Sequence, residues 1–205
     1  MYALITDGSI AKIFSGNRGL TIGNIQYPRD IFSKWTEAQR NAIGIFEVIQ
    51  NDAKKKDKAY YINTNQTFTY DADAGTVTAT YGDATAKAHA DANATDADGN
   101  DLDPVIVIEG LKTIRIRSVK QQAASILQNT DWYIVRKADA GTSVPSAITT
   151  FRAAVRTKAA AMETLITNAS NTPAIETLYT YVNTADEGDP VVMERPLGEF
   201  PVLGS

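Results

Sequence analysis

Apolar and polar positions alternate through much of the first eighty residues and switch to a three-four spacing in the second half. Tyr2–Ile5 and Ile10–Phe14 flank Asp7-Gly8. An Asp-Gly pair between apolar runs predicts a hairpin, because glycine tolerates the positive φ of a tight turn. Gly16, Gly19, Gly23 and Tyr27-Pro28 then predict a loop, since a residue before proline avoids the helical region. Thr36 reads as a helix N-cap, with Gln39 three residues on to complete a capping box. Trp35, just before the cap, is placed to staple onto the stem of Arg40 or onto Ile43, and Gly44 stops the helix. Period-two alternation predicts a strand over 45–49 and a second hairpin over 59–81, turning at Asp71–Gly75. Thr76, Thr78 and Thr80 share one face of that hairpin, which is expected to be solvated.

From Gly82 to Pro104 large apolar side chains nearly vanish, and alanine, aspartate and asparagine take over. Such a stretch buries too little apolar area to offset its ordering entropy, so it reads as an exposed loop or linker. Ile116, Val119, Ala123 and Ile126 then follow helical spacing. Thr130-Asp131-Trp132 breaks that helix, and Tyr133–Ala138 fits neither template. A longer helix opens near Pro145, with Ile148, Phe151, Val155, Ala159, Met162 and Ile166 along one face and Arg152, Arg156, Lys158 and Glu163 on its solvated surface. A last helix opens at Thr172-Pro173, read as cap and proline, with Ile175, Leu178, Tyr179 and Val182 on one face. The tail from Asp189 has three prolines and no helical period, and is expected to run extended over a neighbouring molecule. The expected fold is α+β. A β-hairpin-rich unit with one short helix spans 1–82, and an acidic loop or linker 83–104. A helical hairpin or bundle spans 105–183, and an extended tail 184–205.

Composition narrows the chemistry. The 205 residues carry a net charge of −4, no cysteine and one histidine, His89. The charge argues against a nucleic-acid binder, and the missing thiols and second imidazole remove most metal sites and nucleophiles. No catalytic residue, cofactor, metal ligand or small-molecule substrate is expected, and the chain reads as a non-enzyme. The start has no basic region followed by an apolar one, so a signal peptide is not expected. Nor does any apolar run approach a membrane span; Val105–Ile108 is only four residues long. Asp96–Asp103 resembles part of a calcium loop, but with Gly99 at the glycine position, Ala94 replaces the first carboxylate and Val105 the distal one. It reads as an exposed acidic loop. The glycines at 16, 19 and 23 lack the Gly-Lys-Ser/Thr of a phosphate loop. His89 reads as solvated. Arg152 and Arg156, four apart, read as a solvated helix face, with an acidic partner or a phosphate as the alternative. Trp132 reads as a core plug, an interface anchor, or both.

Charge is also uneven. Residues 71–103 hold eight aspartates against one lysine, whereas 109–166 hold nine Lys and Arg against four acids. The plain reading is two solvated surfaces. The alternative is attraction within a chain or between subunits.

Further residues carry a resemblance: Gly110-Leu111-Lys112, Ala123–Leu127, Thr130-Asp131-Trp132-Tyr133-Ile134-Val135-Arg136-Lys137, Val144-Pro145, Phe151-Arg152-Ala153-Ala154-Val155-Arg156 and Glu163–Ile166. This pattern resembles a helical module of tail-associated proteins of tailed bacteriophages, of the marine and cyanobacterial type. There a Thr-Asp-Trp turn joins a helix to one carrying paired arginines. Met1–Ile5 and Thr36–Ile45 resemble openings of such proteins, so the resemblance covers about 1–50 and 109–182. The tail with Met193-Glu194-Arg195-Pro196 lies outside it. The resemblance implies a structural component of a virion, assembled in the host cytoplasm, in the tail, baseplate or fibre-attachment region. Its partners would be other phage structural proteins and copies of itself in a symmetric multi-copy assembly. Trp132, Arg136, Arg152 and Arg156 would shape the helical unit or touch a partner. The alternative it implies is a tail-fibre assembly chaperone not retained in the particle.

Overall fold

The computed structural model of the chain describes residues 1–204; Ser205, the end of the expected tail, lies outside the described residues. Helices occupy 33% of the chain and strands 25%, segregated into a curled N-terminal sheet and C-terminal helices, so the fold class is α+β. Two compact units divide at Thr85/Ala86.

The first unit opens with β1 (Tyr2–Thr6) and β2 (Ser9–Phe14). Asp7 and Gly8 both take positive φ (51° and 74°), as the expected turn requires. The region expected to be loop holds a small hairpin, β3 (Leu20–Ile22) and β4 (Ile25–Tyr27). Its strands are three residues each, too short for periodicity to stand out among the glycines. After α1 (Ile31–Lys34) comes α2 (Glu37–Asn41), with the Thr36–Gln39 capping box formed in both directions. The expected staple is replaced by a polar link: Arg40 is buried and its Nη1 donates to the Trp35 carbonyl at 2.5 Å, while the Trp35 ring lies edge-on to Tyr27. Gly44 (φ 79°) ends the turn. Strands β5 (Ile45–Asn51), β6 (Tyr61–Ile62), β7 (Gln66–Asp71) and β8 (Thr76–Tyr81) follow.

The main sheet has the order β2-β1-β5-β8-β7, antiparallel except for the β5–β8 pair. Alternation puts Ala3, Val48, Val77 and Ala79 inside, with Ile13, Phe46 and Phe68 packed against them. Thr76, Thr78 and Thr80 are half-buried rather than solvated. On the other face of the β1–β2 pair, Tyr2 and Phe14 cluster with Phe32.

The short strand β9 (Thr85–Ala86) spans the boundary between the units. In the second unit, residues 86–104 are mostly exposed and irregular, as a loop would be, with one short strand inside. β10 (Ala92–Asn93) pairs with β11 (Val107–Ile108), and the Ala94 amide donates to the Ile106 carbonyl at 2.7 Å. Backbone bonds, not apolar burial, hold this segment, which composition cannot show. Helices α3 (Leu111–Gln128), α4 (Asp131–Ala140), α5 (Ser146–Asn168) and α6 (Thr172–Tyr179) follow. The core joins Val119 and Ala123 of α3 to Val155, Ala159, Met162 and Ile166 of α5. Lys112 Nζ donates to the Thr167 carbonyl at 2.9 Å and Lys120 faces Glu163, so α3 and α5 run antiparallel. The cap of α6 is Asn171, whose Oδ1 accepts from the Ala174 amide; Thr172 is instead buried and donates to the Lys87 carbonyl.

The tail folds back onto its own unit. β12 (Val182–Asn183) pairs with β13 (Met193–Glu194), Leu197 enters the helical core, and its amide donates to the Leu178 carbonyl at 3.0 Å. The prolines deny the tail a helix without denying it a place in the core.

Helix α3 has a borrowed cap. Its N-cap, Gly110, has no side chain, and a Cβ there would lie 2.3 Å from the Ala90 carbonyl carbon. Asp91 supplies the missing acceptors: Oδ1 takes the Gly110 amide at 2.7 Å and Oδ2 the Thr113 hydroxyl at 2.9 Å. The Gly110 amide, then the Thr113 hydroxyl, hold the Asp91 carboxyl below its usual pKa of 3.8. A depressed folded-state pKa gives stability that is present above the unfolded value and is lost as pH falls through the folded one. Asp91→Asn is therefore expected to lower the thermal midpoint of the helical signal at pH 7. The gap to the wild type should close as pH drops below 3.8. A gap that stays constant from pH 7 to pH 2 would show that the charge is not what caps α3.

Candidate interaction surface

Helix α4 occupies the stretch whose pattern fits no template, and the reason is physical. Periodicity marks a helix that packs, and none of the ten residues of α4 is buried. Local chemistry sets it up: Asp131 sits in the first turn and Lys137 in the last, each on the favourable side of the helix dipole, and Gly141 (φ 69°) closes it left-handed. The Thr130 hydroxyl donates back to the Leu127 carbonyl at 2.9 Å, so the turn between α3 and α4 is held from its own side chains.

Arg152 completes that turn from the inside. It is 7% exposed, contrary to the expected solvated face. Its Nη1 reaches the Leu127 carbonyl at 2.8 Å, Thr130 Oγ1 at 2.7 Å and Asp131 Oδ1 at 2.8 Å. The guanidinium thus satisfies a carbonyl at the end of α3 and ties α5 to the first residue of α4. Arg156, one turn on, is exposed and among the described residues reaches only the Arg152 carbonyl, at 3.5 Å. The two arginines therefore do not form one anion clamp.

Trp132 is not a core plug. It is 52% exposed, next to Ile134 and Val135 at 43% and 65%. Its ring lies against that of Tyr133, tilted by 33° with centroids 3.9 Å apart, and the Arg136 guanidinium lies 4.7 Å from the Trp132 centroid and 5.6 Å from that of Tyr133. Cation and rings stiffen one another, which presents a rigid aromatic patch at low entropy cost. Of the four expected residues, the structure brings Trp132 and Arg136 together, puts Arg152 behind them as the support, and leaves Arg156 aside.

The other candidate chemistry resolves as follows. Asp96 Oδ1 accepts the Asp98 and Asn100 amides, both at 2.9 Å, so the acidic turn spends that oxygen on its own backbone. Among the described residues no cluster of three or more His, Cys, Asp or Glu could hold a metal ion. His89 is half-buried rather than solvated, and both ring nitrogens are shielded with no hydrogen-bond partner among the described residues. A cleft of about 650 Å³ in the first unit is lined by Lys12, Phe14, Asn17, Arg18, Leu20 and Gln26 among others; no local pattern announces it, because a turn and two hairpins assemble it. Among the described residues no helix is long and apolar enough to cross a membrane. No protein-family model, curated protein or solved structure matches this chain.

Proposed function

We propose that this protein is a structural component of a tailed-phage particle, in the tail, baseplate or fibre-attachment region, and that its work is protein–protein contact. The observation that carries the assembly part is α4. A helix that buries none of its residues, exposes Trp132, Ile134 and Val135, and is braced from within by a buried arginine is built to be covered by another protein. The phage setting rests on the resemblance of Thr130–Lys137 and Phe151–Arg156 to tail-associated proteins.

Quantitative mass spectrometry of gradient-purified phage particles tests it. Several copies per particle are expected. Peptides confined to infected-cell lysate would move the assignment to a tail-fibre assembly chaperone. Trp132→Ala is expected to shift the melting midpoint by no more than about 2 °C, as an exposed substitution does. The same variant should cut incorporation into particles.

A further inference from the structure

We infer that α4 is one half of a head-to-tail self-interface, and that its occupant is the Val105–Ile108 ribbon of a second copy of this chain. This deepens the assembly reading and rests on it.

The second unit shows several uncovered apolar patches, the β12–β13 patch of Tyr181, Val182, Val191, Val192 and Met193 among them, and two of them form unbroken runs of opposite charge. One is the run Val105, Ile106, Val107 and Ile108, each more than half exposed. Successive side chains of an extended segment point to opposite faces. Exposure of all four therefore means that neither face of the ribbon is covered. It follows the acidic turn, where Asp98 and Asp103 make no ion pair among the described residues. The other patch is Trp132, Ile134 and Val135 on α4, flanked by Arg136 and Lys137, which leave an excess of one positive charge over Asp139. Among the described residues neither of these cations has a carboxylate within ion-pair distance, and Asp131 is already taken by Arg152.

Charge decides which patch meets which. Pairing α4 with α4 would set Arg136 and Lys137 against their own copies. Pairing ribbon with ribbon would set the aspartates against theirs. Pairing the ribbon with α4 joins apolar to apolar and acid to base at once, and suppresses both wrong pairings. The chain's uneven charge is then a polarity of assembly. An interface made of two different patches does not close on itself as a dimer; it propagates into a ring or an open array.

Analytical ultracentrifugation of the purified full chain tests this. The wild type is expected to form species heavier than the 22.2 kDa chain, weakening as salt rises. Val135→Glu on α4 and Val107→Lys on the ribbon should each abolish those species, with circular dichroism unchanged because both sites are exposed. Lys137→Glu should weaken association about tenfold or more. The deciding arm mixes the first two variants. Each retains the patch the other has lost, so the mixture should form a complex that neither forms alone. Three results would overturn the proposal: a wild-type chain that is monomeric at all concentrations, oligomers lost with only one of the two valine variants, or a mixture that stays monomeric. A monomeric chain found at several copies per particle would remove the self-interface and leave the assembly role standing. A self-associating chain missing from particles would do the reverse.

Discussion

Arg152→Ala is expected to destabilise the helical unit by about 2–3 kcal/mol. Removing one member of a buried ion pair typically costs about 3–5 kcal/mol, because the other is left uncompensated. Here the cost is smaller, since the Asp131 side chain is 54% exposed and regains water. What is not regained is the hydrogen bonding at the α3–α4 turn, where the Leu127 carbonyl and the Thr130 hydroxyl both lose their cation. The thermal midpoint of the helical circular dichroism signal should fall by on the order of 10 °C. Arg152→Lys should fall in between, because an ammonium keeps the charge without the planar fork. Arg156→Ala, at an exposed site, should stay within about 0.5 kcal/mol of the wild type. Equal, small effects at 152 and 156 would return both residues to the solvated face that their spacing suggests.

The contrast between these two arginines shows where a sequence is legible. Four residues apart, they look alike, and no local rule separates them. What separates them is the α3–α4 turn, 22 to 25 residues away in sequence, which brings acceptors to one and not the other. The Asp7-Gly8 turn, the Thr36–Gln39 box and the buried stripe of α5 are legible because their causes lie within a few residues. The Asp91 cap on α3 is not, because its partners lie 19 and 22 positions on. Helix α4 is a different case. Its pattern fits no template because it has no buried stripe, and the proposed contact role rests on that same absence. Residues 86–104 read correctly as exposed, but their backbone bonds, such as Asp96 to Asn100 and Leu102 to Ala94, leave no trace in composition.

The tail gives the other large effect. Leu197 is 2% exposed, inside the cluster of Val119, Val155, Met162 and Ile166. Gly198 (φ 70°) turns the chain behind it, and Arg195 braces that turn, with Nε bonded to the Gly198 carbonyl at 3.2 Å and paired with Glu199 at 2.7 Å. Leu197→Ala removes buried methyls from a site that its neighbours cannot collapse to fill, since helices α3 and α5 wall it. About 3 kcal/mol should be lost, in the range of buried leucine truncations. Val202→Ala, 71% exposed, should cost no more than about 0.5 kcal/mol. Truncation after Thr184 should exceed Leu197→Ala, because it also removes Phe200 from the core margin and β13 from its pairing with β12. Denaturant midpoints of the three variants settle the point. If the truncated chain melts like the wild type, the tail is an arm reaching for a neighbour. If it melts as argued here, loss of particle incorporation on truncation would report a damaged core. The tail's outer residues, Val191 and Val192, then become the positions at which to ask what it touches.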